Sequence, residues 1–280
     1  MVAPIPMTEK GWTPPVGKTL VNYSTKNGVA ILEMNDPPAN TYTHEMMRQL
    51  DEAIVKARFD DAVHVILLTG AGDKFFSAGA NIQMLNSVTP RWKYFFCLHA
   101  NETLNRLEHT PKLVVAAING HCVGGGLEIA MAADLRLARR NGGQIGLPEV
   151  NLGVLPGTGG TQRLVRILGK AKAIEWMCTG AKYTFEEAQE LGVLNEILDA
   201  KTSEEFKAQV LEWCMQFVPP NKAAKAVGLI KRSVQSGAEV PFESALAIER
   251  ELQQQLFQSE DAKEGLAAFV EKRPPRFQGK

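Results

Sequence analysis

The sequence has few cysteines and no excess of charge of either sign. Four cysteines occur in 280 residues and none forms a CxxC pair, which argues against a zinc cluster and a disulfide framework. We therefore expect a reduced protein, with a cytoplasmic location as the simplest interpretation. Lys plus Arg and Asp plus Glu each number 31, so the formal net charge is zero. No overall basicity indicates binding to nucleic acid or to an anionic membrane.

The chain also lacks the features of a targeting segment or a membrane span. Its first twenty residues hold four prolines, no Arg, no basic leader and no continuous apolar stretch, which argues against a signal or transit peptide. The longest apolar stretch, residues 113–135, is interrupted by Asn119, His121, three glycines and Glu128. Because burying those polar groups in a bilayer is costly, we expect no membrane-spanning helix.

Apolar runs alternate with helical patterns in the first part of the chain. The runs that are typical of buried strands cover residues 29–34, 63–69, 113–118 and 135–138. The helical patterns that follow the first three runs cover residues 43–58, 91–108 and 127–133. Strand–loop–helix units in series predict an α/β fold with largely parallel sheets.

From about Gly160 the sequence predicts one helix after another. The candidate helices are residues 161–168, 170–178, 184–191, 203–217, 221–235, 242–257 and 260–271. Thr184 and Glu187 have the spacing of a capping box. We assign residues 1–200 to an α/β core and residues 201–280 to a helical C-terminal oligomerisation region. The apolar stripes of that region could also pack on the core, and the sequence leaves this alternative open.

Two glycine-rich segments follow predicted strands. In residues 76–82, Phe-Ser-Ala-Gly-Ala-Asn-Ile, small residues let a ligand approach backbone amides, although a plain tight turn would have the same composition. In residues 119–128, three consecutive glycines open a helix, where unpaired amides can bind a negative oxygen. The alternative for this segment is close helix–strand packing. The related run of residues 153–160 lacks the Gly-Lys-Ser/Thr of a P-loop.

Two glutamates lie beside glycine-rich backbone. Glu128 is in the first turn of a predicted helix, where the helix dipole favours its charge and apolar neighbours oppose it. Glu149 is the one acidic residue of an apolar loop, residues 146–157, that is punctuated by Gly and Pro. A buried carboxylate usually has a partner or a task. One of the two glutamates could act as a base and the other as an acid.

In this order and spacing, the segments resemble the crotonase (enoyl-CoA hydratase/isomerase) superfamily from about Val29 to the C-terminus. The resemblance implies a crotonase-like spiral of ββα units with a helical C-terminal region, assembled as trimers that often pair into hexamers. It also implies an oxyanion hole from the backbone amides of Ala80 and Gly125. Glu128 and Glu149 match the two carboxylates that hold a water in the hydratases of this family.

Further residues match the family's coenzyme A site. The resemblance places Ala78 and Ile82 at backbone positions that cradle coenzyme A, and we expect Lys272 and Arg276 of the basic tail to reach coenzyme A phosphates of a neighbouring subunit. It implies no metal and no redox cofactor, since coenzyme A is part of the substrate. Asn81 departs from the family pattern, in which an acidic residue is frequent.

The glutamate pair favours an enoyl-CoA hydratase, a hydro-lyase that adds water in syn fashion to a 2-enoyl-CoA and gives a 3-hydroxyacyl-CoA. The alternatives are a Δ3,Δ2-enoyl-CoA isomerase, which keeps only one of the two carboxylates, and a hydrolase or decarboxylase on the same scaffold. Outside this class, an RNA-binding relative is disfavoured by the zero net charge. The sequence leaves the acyl group open; we expect residues 85–96 among the walls of its pocket.

Overall fold

The structure, a computed structural model, describes residues 17–280. Within that range the strands are β1 (Val21–Lys26), β2 (Val29–Met34), β3 (Val65–Gly70), β4 (Phe75–Ser77), β5 (Leu113–Ile118), β6 (His121–Val123), β7 (Leu135–Arg139), β8 (Gln144–Gly146), β9 (Lys182–Thr184) and β10 (Glu196–Leu198). The helices are α1 (His44–Phe59), α2 (Ile82–Ser87), α3 (Pro90–Glu108), α4 (Gly125–Met131), α5 (Gly160–Leu168), α6 (Lys170–Thr179), α7 (Phe185–Glu190), α8 (Ser203–Met215), α9 (Ala224–Gly237), α10 (Phe242–Phe257) and α11 (Glu260–Glu271). A short 3-10 helix covers Glu149–Leu152. The targeting segments that the sequence argues against would fall mostly on residues 1–16, outside the described residues.

The larger sheet has the strand order β1-β2-β3-β5-β7-β10 and is parallel except for the β1–β2 hairpin. Every residue of β3 and β5 is buried. Successive side chains of a strand point to opposite faces. Accordingly Ile66 and Leu68 of β3 lie in the main core, whereas Val65 and Leu67 lie in a second cluster. A sheet that is covered on both faces needs continuous apolar strands, which is why the sequence pattern predicts them.

The smaller sheet has the order β4-β6-β8-β9 and is built from strands of three residues. Its strands β4, β6 and β8 each follow a strand of the larger sheet and precede a helix. This repeated ββα order confirms the predicted fold class. The short strands were not predicted, because three residues are too few to show an alternating pattern.

The C-terminal part is largely helical, as the sequence predicts. Helices α10 and α11 have the predicted bounds, and β9 and β10 are short unpredicted strands among the helices. The capping box is confirmed: the Thr184 hydroxyl accepts from the Glu187 amide at 3.2 Å, and the Glu187 carboxylate accepts from the Thr184 amide at 2.8 Å. No helix among residues 17–280 is both long and apolar enough to cross a membrane.

Helices α8 and α9 are fixed to the larger sheet. The second cluster is formed by apolar residues of α8 and of the sheet, among them Phe206 and Val210 from α8. On α9, the buried Lys231 ammonium lies 2.8 Å from the Asp134 carboxylate. The Val114 amide of β5 donates to the same carboxylate at 2.7 Å. The shared hydrophobic cluster joins α8 to the strands. The division into an α/β core and a helical oligomerisation region near residue 200 stays a prediction.

Candidate active site

The two glycine-rich segments meet at the start of α4. A β-carbon at Gly79 would lie 2.8 Å from the Gly125 amide nitrogen, and a β-carbon at Gly126 would collide with the Ser77 carbonyl. Gly124, just before the helix, has a φ of 56°, a backbone angle that residues other than glycine rarely adopt. Close backbone approach therefore explains the consecutive glycines.

Two backbone amides in this contact have no acceptor in the described part of the chain. Within residues 17–280, neither the Ala80 nor the Gly125 amide donates a hydrogen bond to the protein. The backbone around Ala80 is nevertheless fixed, since the Tyr42 amide donates to the Gly79 carbonyl and the Asn81 amide donates to the Tyr42 carbonyl, each at 2.9 Å. Gly125 is the first residue of α4, where amides have no partner inside the helix. Both donors suit an oxygen that carries negative charge.

Glu128 is buried in the first turn of α4, with a side chain only 2% exposed. Its Oε1 atom accepts from the Thr158 amide at 2.7 Å and from the Gly160 amide at 2.6 Å. Burial raises the pKa of Glu128 to about 7, and the charge of Glu149 acts in the same direction, although the two amides lower it. The competition that the sequence leaves open is thus decided by burial.

Glu149 is half-buried and begins the 3-10 helix that follows β8. Burial raises the pKa of its carboxyl group as well. Its Oε1 atom would lie 3.0 Å from a β-carbon at Gly124, whose carbonyl accepts from the Glu128 amide at 3.2 Å. Its Oε2 atom is buried and has no hydrogen-bond partner in the described part of the chain. Both carboxyl groups therefore lie close to the start of α4, and each holds its proton more tightly than an exposed glutamate does.

Sequence reasoning missed three residues at this site, namely Tyr42, Thr158 and Gly160. The Tyr42 hydroxyl lies 2.8 Å from the Thr158 hydroxyl, and the Tyr42 ring occupies the space that a side chain at Gly125 would need. Thr158 and Gly160 belong to a glycine-rich run that we tested only as a phosphate loop. The glycine-rich run could have been interpreted as a source of backbone amides that bind a carboxylate instead of a phosphate. No local pattern distinguishes Tyr42.

The predicted coenzyme A residues fall into two groups. Ala78 lies two residues before Ala80, its own amide donating to the Ala39 carbonyl at 2.9 Å, and Ile82 begins α2 and is 55% exposed. Lys272 and Arg276 are exposed in the C-terminal tail, where the Arg276 amide donates to Glu264 at 2.8 Å. Within residues 17–280, no hydrogen bond of the tail reaches either catalytic candidate. Coenzyme A contacts of all four residues stay predictions.

Asn81, the residue that departs from the family pattern, caps α2. Its side-chain oxygen accepts from the Met84 amide at 2.9 Å. An amide side chain can therefore replace a carboxylate here without loss of the helix cap. In the described part of the chain, no three His, Cys, Asp or Glu side chains are grouped as metal ligands. The expectation of an enzyme without a cofactor stays a prediction.

The raised pKa of Glu128 predicts that stability depends on pH. The folded chain holds this proton more tightly than the unfolded chain, so the stabilisation is complete below the ordinary value of 4.5 and is lost as the pH rises through about 7. Glutamine cannot ionise. Glu128→Gln should therefore be more stable than the wild type by about 3 kcal/mol at about pH 8.5, and by less than about 1 kcal/mol at about pH 5.

Thermal unfolding at the two pH values measures this difference. Glu102→Gln, on an exposed position of α3, is the matched control and should show no pH-dependent change in Tm relative to the wild type. Equal Tm differences for Glu128→Gln at both pH values would contradict a raised pKa at this residue.

Comparison with known proteins gives a consistent result. The family model described as "Enoyl-CoA hydratase/isomerase" matches residues 24–280. The "Probable enoyl-CoA hydratase" of Bacillus subtilis (strain 168) is 35% identical over 260 residues, which cover 92% of this chain and 98% of the relative. The "Short-chain-enoyl-CoA hydratase" of Clostridium acetobutylicum is 35% identical over 250 residues, covering 88% and 92%.

A solved structure shares the fold over nearly the whole chain. It is described as "Enoyl-CoA hydrates from Geobacillus Kaustophilus HTA426", is 42% identical, and superposes with a TM-score of 0.90 over 94% of this chain and 98% of its own. The family model covers far more than half of the sequence, including both glutamates and both unpaired amides. The chain therefore belongs to the enoyl-CoA hydratase/isomerase family.

Proposed function

We propose that the protein is an enoyl-CoA hydratase, which adds water across the C2–C3 double bond of a 2-enoyl-CoA and gives a 3-hydroxyacyl-CoA. The observation that carries this proposal is the convergence of two carboxyl groups with raised pKa values and two unpaired amides at the start of α4. The relatives named as enoyl-CoA hydratases support it.

The two amides would act on the thioester carbonyl. The carbonyl oxygen would accept hydrogen bonds from the Ala80 and Gly125 amides. As the nucleophile adds to C3, electron density moves through C2 to this oxygen, which takes on enolate character. Donors that are already fixed stabilise this charge without having to reorient, so they stabilise the transition state more than the ground state.

The two glutamates would handle the protons. A water bound by Glu128 and Glu149 attacks C3, and one carboxylate takes a proton from it as the C3–O bond forms. The other glutamate, in its protonated form, delivers a proton to C2 on the same face, which completes the addition. The pKa of Glu128, raised to about 7 by burial, suits such transfers, because a group that titrates near the working pH can both accept and release a proton.

Coenzyme A would be bound mainly through backbone. Ala78 and Ile82, each two residues from Ala80 in the chain, would cradle the adenine and pantetheine of coenzyme A. Lys272 and Arg276 would contact the phosphates of coenzyme A bound to a neighbouring subunit. No metal or redox cofactor enters the proposed reaction, since every proton and electron pair comes from water and the substrate.

A panel of 2-enoyl-CoA thioesters that differ in chain length, branching and terminal carboxylation tests the proposal. We expect loss of the conjugated thioester absorbance with at least one of them, and formation of the matching 3-hydroxyacyl-CoA. A protein that isomerises 3-enoyl-CoA substrates readily but hydrates none of the panel would be an isomerase instead.

We also propose a homotrimer, alone or paired into a hexamer, as in the family. Large apolar side chains are exposed on the C-terminal helices; they are Ile230, Val234, Phe242, Phe257, Leu266, Phe269 and Val270. Contact between copies would remove this surface from water. Light scattering at micromolar concentration should give three or six times the mass of the chain, and a monodisperse monomer would refute this assembly. The cytoplasmic location stays a prediction from the cysteine pattern.

A further inference from the structure

Tyr42 contacts Ala80, Gly125 and Thr158 of the proposed site, although it is neither a candidate acid nor a candidate base. It lies between β2 and α1, pairs with Ala80 as an isolated bridge, and is 2% exposed. In the other ββα units a strand of the smaller sheet occupies the equivalent place. Tyr42 thus holds the first unit against the second.

The backbone and ring of Tyr42 fix the two unpaired amides relative to each other. Its amide donates to the Gly79 carbonyl and its carbonyl accepts from the Asn81 amide, so these bonds hold the residues on either side of Ala80. Its ring packs directly against Gly125. Phe96 stacks on the Tyr42 ring, with the two ring centroids 5.7 Å apart, and this contact restrains the Tyr42 ring.

The hydroxyl of Tyr42 reaches Glu128 through Thr158. The two hydroxyl oxygens are 2.8 Å apart, and the Thr158 amide donates to Glu128 Oε1 at 2.7 Å. The Thr158 hydroxyl also lowers the pKa of the Glu128 carboxyl group. Either hydroxyl can be the donor of the bond between Tyr42 and Thr158, and in both cases that bond holds Thr158, whose amide donates to Glu128.

Core packing alone does not account for this hydroxyl. The fully buried Phe76 and Phe185 fill comparable space without a polar group. Tyr23 provides the contrast, since its hydroxyl oxygen is buried and has no hydrogen-bond partner among the described residues. A buried polar group without a task costs stability, whereas that of Tyr42 is bonded to the residue that holds Glu128.

We propose that Tyr42 is a positioning residue of the hydration reaction: its backbone and ring set the two oxyanion amides, and its hydroxyl orients Thr158 towards Glu128. This inference rests on the proposed function. Tyr42 touches neither the thioester nor the water in this proposal and acts only through Ala80, Gly125 and Thr158.

Tyr42→Phe tests the hydroxyl, with Tyr23→Phe as the matched control. Loss of one hydrogen bond in the chain to Glu128 should lower kcat about five- to tenfold, with KM changed less than about twofold. The limb of the pH–rate profile that reports Glu128 should move to higher pH, because the ionised carboxylate loses support. Tyr23→Phe should change neither quantity.

Titration of the glutamate carboxyl carbons by 13C NMR gives a readout that needs no activity, with Glu128 assigned from the signal missing in Glu128→Gln. The Glu128 titration should move to higher pH in Tyr42→Phe and stay in place in Tyr23→Phe. An unmoved titration in folded Tyr42→Phe overturns the inference, whatever happens to kcat. If the wild type hydrates no enoyl-CoA, the proposed function fails, while a shifted titration still assigns Tyr42 the task of orienting Glu128.

Discussion

Replacing either glutamate of the pair with glutamine should reduce hydration about 10²-fold or more, because each change removes one positioned proton-transfer group. Glutamine keeps the size of the side chain, and its oxygen can still accept from the Thr158 and Gly160 amides that hold Glu128. Binding of coenzyme A thioesters should therefore change little, and the loss should fall mainly on kcat. Steady-state hydration of the preferred thioester measures the effect.

The double variant Glu128→Gln/Glu149→Gln distinguishes a pair that acts on one water from two independent groups. Its hydration activity should be barely lower than that of the less active single variant, since the effects of groups that act as a unit are not additive. An isomerase needs one carboxylate to move a proton between C2 and C4, so only one substitution would then be severe. Isomerisation of a 3-enoyl-CoA is assayed in parallel, with Glu102→Gln as the control. One glutamate change that is harmless to hydration would disprove the two-glutamate mechanism.

Gly125→Val should reduce hydration by a factor that corresponds to about 3–4 kcal/mol of transition-state stabilisation, the usual effect of losing one oxyanion donor. Any β-carbon at this position collides with the Tyr42 ring, so either the ring or the first turn of α4 must shift. Both shifts move the Gly125 amide relative to the Ala80 amide. Since the thioester oxygen needs both donors most in the transition state, kcat should fall more than affinity for the substrate.

Gly237→Ala, near the end of α9, is a suitable control for the loss of a glycine. A β-carbon there would contact only Ala245, the nearest atom at 3.3 Å, and should leave kcat unchanged. Circular dichroism and Tm measurements show whether Gly125→Val is folded. Folded Gly125→Val protein with activity within about twofold of the wild type would mean that Gly125 serves packing alone.

The features that are visible in the sequence are those with a local cause. The strands β2 and β5 have the predicted bounds because both faces of each strand need apolar residues over a continuous stretch. The contact between Tyr42 and Thr158 joins residues 116 positions apart, and the residues next to either one in the sequence do not predict this contact. The protonation of Glu128 likewise depends on residues 158 and 160, which the fold brings to the start of α4.

The glutamates stood out for a different reason. Glu149 is an acidic residue in an otherwise apolar segment, and that contrast is local. Its half-buried place beside Gly124, however, depends on the pairing of β6 with β8, two strands too short to predict. The local composition therefore identifies Glu149 as unusual, but only the folded chain shows that it lies near the start of α4, the helix that carries Glu128. The proposed contacts of Lys272 and Arg276 with coenzyme A of a neighbouring subunit rest on their charge and stay predictions.

The ion pair between Lys231 and Asp134 restricts how the chain can be shortened. Besides Asp134, the Lys231 ammonium binds the Lys112 carbonyl at 3.0 Å, and Gln235 donates to Asp134 at 2.9 Å. Burial raises the pKa of Asp134 and lowers that of Lys231, so each group relies on the other to remain charged. Loss of Lys231 while Asp134 stays buried beside β5 would leave the carboxylate without its counter-ion, at a cost of about 3–5 kcal/mol. Residues 224–280 are therefore not a removable appendage, since α9 supplies the counter-ion of a carboxylate that lies beside the larger sheet.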